Sequence, residues 1–271
     1  MTRTTMDLVS VAEVRVARTR DDLAFGAGEL PLGGGTWLFS EEQPGLNGLV
    51  DLMGLGWDPI IETDDTLQVA ATCTFAQLAS LESREDWSAY PLINQCCESL
   101  LGSFKVWNVA SVGGNIALAL PAGPMTSLAV ALDARALVWG PGGADRHVPV
   151  VELVTGVQRT SLAHGEVLRS IHIPLDRLRS RTGFRRIALS PLGRTATMVI
   201  ARLDRSGEFV VTVTGGTEAP KQLRFDEIPS RHSLESAISS ITNWYDDPHG
   251  KPDWRRAMSV RFAEQLRLEL S

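Results

Sequence analysis

The sequence predicts an α+β fold built in two units, and three observations carry the prediction. Phe184 to Leu189, Thr197 to Leu203 and Phe209 to Val213 are read as alternating, antiparallel strands. Two helical stretches follow them, Ser233 to Tyr245 and Trp254 to Leu270; strands then helices make an α+β layer. Upstream, shorter strand-like runs surround two glycine-rich turns, and the charged stretch Asp176 to Arg181 separates the two halves.

In chain order, Val9 to Val16 reads as a short strand and Asp21 to Ala24 as a brief helix. Leu30-Pro31-Leu32 leads into the first glycine turn, Gly33-Gly34-Gly35-Thr36-Trp37, and Leu38-Phe39 returns the chain to regular structure. Gly48 to Leu52 reads as a buried strand. Ile60 to Thr63 and Thr66 to Ala71 form a hairpin whose turn, Asp64-Asp65, is a solvated turn rather than an acid/base pair. Thr74 is placed to cap a helix running to Leu81, and Pro91 to open another in which Leu92, Ile93, Cys96, Cys97 and Leu100 share one face. Leu128 to Leu132 belongs to one buried helix, and Ala136 to Trp139 is a strand ending at Pro141-Gly142-Gly143, a loop glycine pair with no ligand assigned. Glu166 to Ile173 alternates up to Pro174 and closes the first unit.

Composition narrows the function classes. At 271 residues and 44% hydrophobic content the chain can bury substantial cores, and a net charge of −6 without a Lys/Arg-rich run argues against nucleic acid as a partner. Met1 to Ser10 has no signal-peptide pattern, and the longest apolar run, Ala117 to Leu132, is broken by Pro121, Gly123 and Pro124, so a cytoplasmic protein without a membrane span is expected. Cys73, Cys96 and Cys97 lack metal-binding spacing and read as buried thiols, and the five histidines are scattered. No metal site and no catalytic residue is expected on this chain.

The two glycine turns carry the chemistry. Adjacent glycines supply positive φ and leave amide N–H groups uncovered, and successive free amides form a concave anion site. Gly33-Gly34-Gly35-Thr36, flanked by Leu32 and Trp37, and Asn108-Val109-Ala110-Ser111-Val112-Gly113-Gly114-Asn115 each present such a turn, suited to a diphosphate gripped from two sides. The hydroxyls of Thr36 and Ser111 add hydrogen-bonding groups, while Trp37 reads mainly as a packing residue and Asn115 equally as a cap. No G-K-[ST] element accompanies them, so a nucleoside-triphosphate loop is not indicated.

These motifs, in this order and spacing, resemble the FAD-binding medium subunit of molybdenum hydroxylases, the flavoprotein of the xanthine dehydrogenase and carbon monoxide dehydrogenase family. The second turn is similar to that family's R-N-x-A-T-I-G-G-N, with Trp107 in place of Arg. Ile171-His172-Ile173-Pro174 resembles its domain-closing strand, Gly215-Gly216 with Ala219-Pro220 its G-G-x-A-x-x-P element, and Asp253-Trp254-Arg255-Arg256 the start of its last helix. The resemblance implies a two-lobed FAD-binding domain of the PCMH/vanillyl-alcohol-oxidase type at 1–175, with lobes of about 1–57 and 58–175, and a smaller C-terminal α/β domain at 176–271. It implies non-covalent FAD lying across both glycine turns. Gly123-Pro124 stands where the family often has an acidic residue, and Arg194-Thr195 where it often has an Asp-aromatic pair beside the isoalloxazine.

The function so implied is an electron-transfer flavoprotein subunit. A large molybdenum-cofactor subunit and a small iron–sulfur subunit with [2Fe-2S] clusters would be its partners, as a dimer of heterotrimers, and electrons would pass through FAD to a terminal acceptor. The competing readings are a free-standing FAD-dependent oxidoreductase and a non-redox nucleotide-binding or assembly module.

Overall fold

The computed structural model describes Leu8 and residues 10–271. Val9, where the first strand was expected to begin, lies outside them. β1 (Glu13–Val16), β2 (Glu29–Leu32) and β3 (Gly48–Asp51) form a parallel three-stranded sheet in the order β1-β3-β2. β3 is central, with Gly48, Leu49 and Val50 all buried, which matches its unbroken apolar run. The loop leaving β2 is the first glycine turn.

β4 (Ile60–Glu62) and β5 (Thr66–Ala70) form the expected hairpin, its turn closed by the Thr63 hydroxyl beside Asp65 and Thr66. α1 (Phe75–Ala79) starts at Thr74 with a reciprocal cap: the Thr74 hydroxyl accepts from the Gln77 amide, and the Gln77 side chain accepts from the Thr74 amide at 2.9 Å. α2 (Tyr90–Glu98), α3 (Phe104–Trp107), α4 (Val112–Ala117) and α5 (Pro124–Ala131) follow. Then come β6 (Arg135–Trp139), β7 (Asp145–Pro149), α6 (Val150–Leu153), the small pair β8 (Val154–Gly156) and β9 (Arg159–Thr160), and β10 (Val167–Pro174). One antiparallel sheet orders them β4-β5-β10-β6-β7.

After the short helix α7 (Leu175–Leu178), β11 (Arg181–Ile187), β12 (Thr197–Leu203), β13 (Phe209–Thr214) and β14 (Lys221–Phe225) run as an antiparallel meander, followed by α8 (Arg231–Ser239) and α9 (Pro252–Leu270). α8 ends at Ser239 rather than near Tyr245 because the chain turns back to the sheet: the Glu218 amide donates to the Asn243 carbonyl and the Tyr245 amide to that of Gly216. β12 is buried on both faces. Met198 and Ile200 join the core around α5, while Val199 and Ala201 face α8 and α9. α5 is therefore covered on every side, and all eight of its residues are buried.

α4 docks on the segment before α1 by backbone alone. The Val112 amide donates to the Cys73 carbonyl and the Gly113 amide to that of Ala71, at 2.8 and 2.9 Å. A Cβ on Gly113 would lie 2.3 Å from the Ala71 Cβ and 2.6 Å from its Cα. Gly113→Ala should therefore destabilise the fold by about 1–3 kcal/mol through overpacking, read as a lower urea midpoint with an unchanged m-value.

An ionic network joins α5 to the four-stranded sheet. Arg202 on β12, 1% exposed, donates to Asp133 at 2.6 Å and to Asp204 at 2.7 Å, and also reaches the Ala131 carbonyl. Arg177, Arg224 and Gln222 complete the shell around Asp133, and Ser180 donates to Asp204. Burial alone would push both carboxyls up, but the guanidiniums and hydrogen bonds overcome it and hold both below the ordinary value. The stability they supply is thus present above the unfolded aspartate value, about 3.9, and lost as pH falls through the lower folded values. Melting temperature should stay level from neutral pH to about pH 5 and fall below pH 4; Asp204→Asn should flatten that fall.

Candidate functional site

A cavity of about 640 Å³ opens between the glycine turns, within the range of small-molecule and cofactor sites. Its walls come from the β2 loop, the ends of α2 and α3, α4, the α4–α5 connection and the β11–β12 loop. Of the residues singled out in the sequence, Leu32, Gly33, Gly34, Gly35, Thr36 and Trp37 line it. So do Ala110, Ser111, Gly114, Asn115, Arg194 and Thr195. Asn108 and Gly113 do not: Asn108 is exposed at the end of α3, and Gly113 is buried against Ala71.

The first turn is an open donor set. None of the amides of residues 33–38 donates to an acceptor among the described residues, whereas the carbonyls of Gly35 and Trp37 accept from the amides of Phe39 and Ser40. Only Gly35 has positive φ, +65°, with Trp37 in the right-handed region after it. Gly33 and Gly34 are glycines for a different reason than the positive φ expected of them. A Cβ on Gly34 would meet the Val109 carbonyl oxygen at 1.7 Å, and one on Gly33 would meet the Ser111 Oγ at 2.7 Å. The two turns touch through their backbones.

The second motif is not an open turn. Ser111 is the N-cap of α4, its Oγ accepting from the Gly114 amide at 3.1 Å, and Gly113 and Gly114 are helical residues without positive φ. The amides of Val112, Gly113, Gly114 and Asn115 all donate within the chain, so of the backbone donors expected from Ser111 to Asn115 only the Ser111 amide lacks an acceptor among the described residues. What the motif offers instead is space above Gly114, which is exposed, and the Ser111 hydroxyl. Asn115 is also engaged: its Oδ1 accepts from the Met125 amide at 3.0 Å and fastens the first turn of α5, where Pro124 has no N–H.

The β11–β12 loop supplies the remaining wall. Arg186 donates from Nε to the Thr195 Oγ1 and from Nη2 to the Gly193 carbonyl, both at 2.6 Å. Desolvation holds the Arg186 guanidinium below its ordinary value. Thr195 is buried and lies against Gly215, whose amide donates to the Pro121 carbonyl at 2.8 Å. The α4–α5 connection is thereby tied to the four-stranded sheet at the cavity wall. Ala119 in that connection adopts φ +51°, an unusual angle for a residue with a side chain.

The residues present fit FAD. A row of free amides suits the diphosphate, Thr36 and Ser111 offer hydroxyls, and Leu118, Leu120 and Leu101 give apolar wall for a flat ring. The sequence did not single out these leucines, nor Leu30, Val106 or Leu192. Leu118 and Leu120 sit in an apolar run indistinguishable from core and Leu192 in an exposed loop, and only the way the loops meet turns them toward a cavity. Arg186 carried no motif either.

Known proteins resemble this arrangement over much of the chain. A xanthine dehydrogenase FAD-binding subunit from Escherichia coli O157:H7 is 28% identical over 129 residues, which is 48% of this chain and 41% of that protein. The aligned stretch thus spans less than half of that curated relative. Among solved structures, a carbon monoxide dehydrogenase from Hydrogenophaga pseudoflava that lacks the Mo-pyranopterin moiety superposes with a TM-score of 0.80 at 19% identity, covering 96% of each chain. Quinoline 2-oxidoreductase from Pseudomonas putida 86 gives 0.79 at 20%, covering 95% of this chain and 96% of that one. At these identities the structural likeness establishes the α+β fold. The pattern of the FAD binding domain in molybdopterin dehydrogenase matches residues 9–176, well over half of the chain. This protein belongs to that family.

Proposed function

We propose that the chain is the FAD-containing electron-transfer subunit of a molybdenum-dependent hydroxylase or dehydrogenase. The observation that carries this reading is the row of amides at residues 33–38, free of acceptors among the described residues, facing a cofactor-sized cavity in a chain of this family. Residues 1–175 form the FAD-binding domain in this reading and 176–271 the C-terminal domain. FAD is held without a covalent bond, its diphosphate on the 33–38 amides and its ring toward the α4–α5 connection and the β11–β12 loop.

When bound, FAD supplies the exchange between one-electron and two-electron carriers. The chain's own part is to bind, orient and shield. Molybdenum cofactor and [2Fe-2S] clusters sit on a large and a small partner subunit, assembled as a dimer of heterotrimers. The cysteines here are unsuited to ligation in their present setting: burial pushes Cys73 and Cys97 up to about 12 and Cys96 well above its ordinary value. A second reading, a nucleotide-binding module without redox chemistry, is favoured by one observation only, the Arg194-Thr195 pair in place of an acidic-aromatic pair.

The protein purified from its native host is expected to show visible flavin absorption, to release stoichiometric FAD on denaturation, and to co-purify with a larger and a smaller subunit bearing iron–sulfur absorption. A colourless chain that cannot be reconstituted with FAD contradicts the flavoprotein reading. A flavin-loaded chain that purifies alone contradicts the subunit reading while leaving the cofactor.

A further inference from the structure

We infer that Arg194 tunes the cofactor, favouring its reduced, negatively charged form. This rests on the FAD reading above. Among the described residues lining the cavity, Arg194 is the one ionisable side chain, so no carboxylate offsets its charge there. It makes no hydrogen bond or ion pair with a described residue, yet the backbone on both sides of it is fixed. The Gly193 amide donates to the Ser190 carbonyl and the Ala196 amide to that of Ile187, both at 2.9 Å. Arg186 holds the Gly193 carbonyl and the Thr195 hydroxyl. The loop thus presents at the cavity an exposed guanidinium that has no partner among the described residues.

Its placement separates it from the diphosphate. The 33–38 amides adjoin Val109 and Ser111, whereas Thr195 adjoins Gly215 and, through it, Pro121. Phosphate charge is therefore met at the wall made by residues 33–38, while Arg194 belongs to the wall that the β11–β12 loop supplies with Leu192 and Thr195. Oxidised flavin carries no charge on its ring. Uptake of two electrons and one proton leaves one negative charge on it, and that charge is what an unpaired, exposed cation lining the cavity attracts. The effect falls on the reduced form alone, so it appears as a higher midpoint potential and not as tighter binding of oxidised FAD.

The test compares the full chain with Arg194→Gln and Arg194→Lys, each loaded with FAD. Oxidised-FAD affinity is read by fluorescence quenching, and the midpoint potential by anaerobic dithionite titration against a reference dye. Arg194→Gln should lose about tenfold in the preference for reduced over oxidised FAD, a fall of about 30 mV for this two-electron couple, with oxidised-FAD affinity within about threefold of the parent. Arg194→Lys should recover most of the potential. An unchanged potential in Arg194→Gln overturns the inference. So does a large loss of oxidised-FAD affinity without a potential shift, which would make Arg194 a phosphate ligand. Should Arg194→Gln fail to fold, a lysine variant with the potential of the parent supports the inference, and one that binds FAD at a lowered potential overturns it. If the parent chain takes up no FAD, the functional reading itself falls and this inference with it.

Discussion

The backbone-to-backbone contact between Gly34 and Val109 is the constraint on which the site depends. No side chain fits there, since a Cβ on Gly34 would overlap the Val109 carbonyl. The contact brings the loop after β2, from the parallel sheet, against the residues that precede α4. With the two locked together, residues 33–38 line the cavity and their amides have no acceptor among the described residues. These residues are half-buried or exposed, so an acceptor that enters the cavity meets several donors in a row that no described protein group has claimed. In the reading proposed above, that acceptor is the FAD diphosphate.

The far wall depends on how the two halves are joined. α5 is buried between the helices α2, α4 and α6 on one side and the four-stranded sheet on the other, and β12 presents alternate residues to it and to the α8–α9 layer. Asp133, held at φ +52° just beyond α5, gathers Arg177, Arg202 and Arg224. Breaking such a network by removing one partner leaves buried charge uncompensated, which is why it fixes relative position so firmly. The Gly215–Pro121 hydrogen bond then sets the α4–α5 connection, and with it the surface along which a ring would lie.

Much of this was legible in the residues. Strand-like runs placed β10 to β13, although β12 and β13 are buried on both faces instead of alternating, the Thr74 cap and Pro91 placed α1 and α2, and the glycine motifs pointed to the family that the pattern match establishes. The misses have physical causes. β7, with Asp145-Arg146-His147, and β14, with Lys221-Gln222, are edge strands whose polar residues hide the period. The Gly113-Gly114 pair reads locally as a positive-φ turn, but Gly113 is there because Ala71 is close, a tertiary fact with no local signature. The helix expected to Tyr245 stops at Ser239 because Gly216 and Glu218 recruit the backbone that follows. Cavity-lining leucines look like core leucines until the loops meet.

The central claim is that FAD is held by the amides of residues 33–38 and not by those of α4. Hydrogen exchange of the chain with and without FAD tests this most directly, because it reads amides rather than activity. The account predicts that exchange at residues 33–38 slows markedly on FAD binding, while Val112 to Asn115, whose amides already donate within the chain, are slow in both states. Binding of FAD, established by absorbance, with residues 33–38 exchanging as fast as before would contradict it.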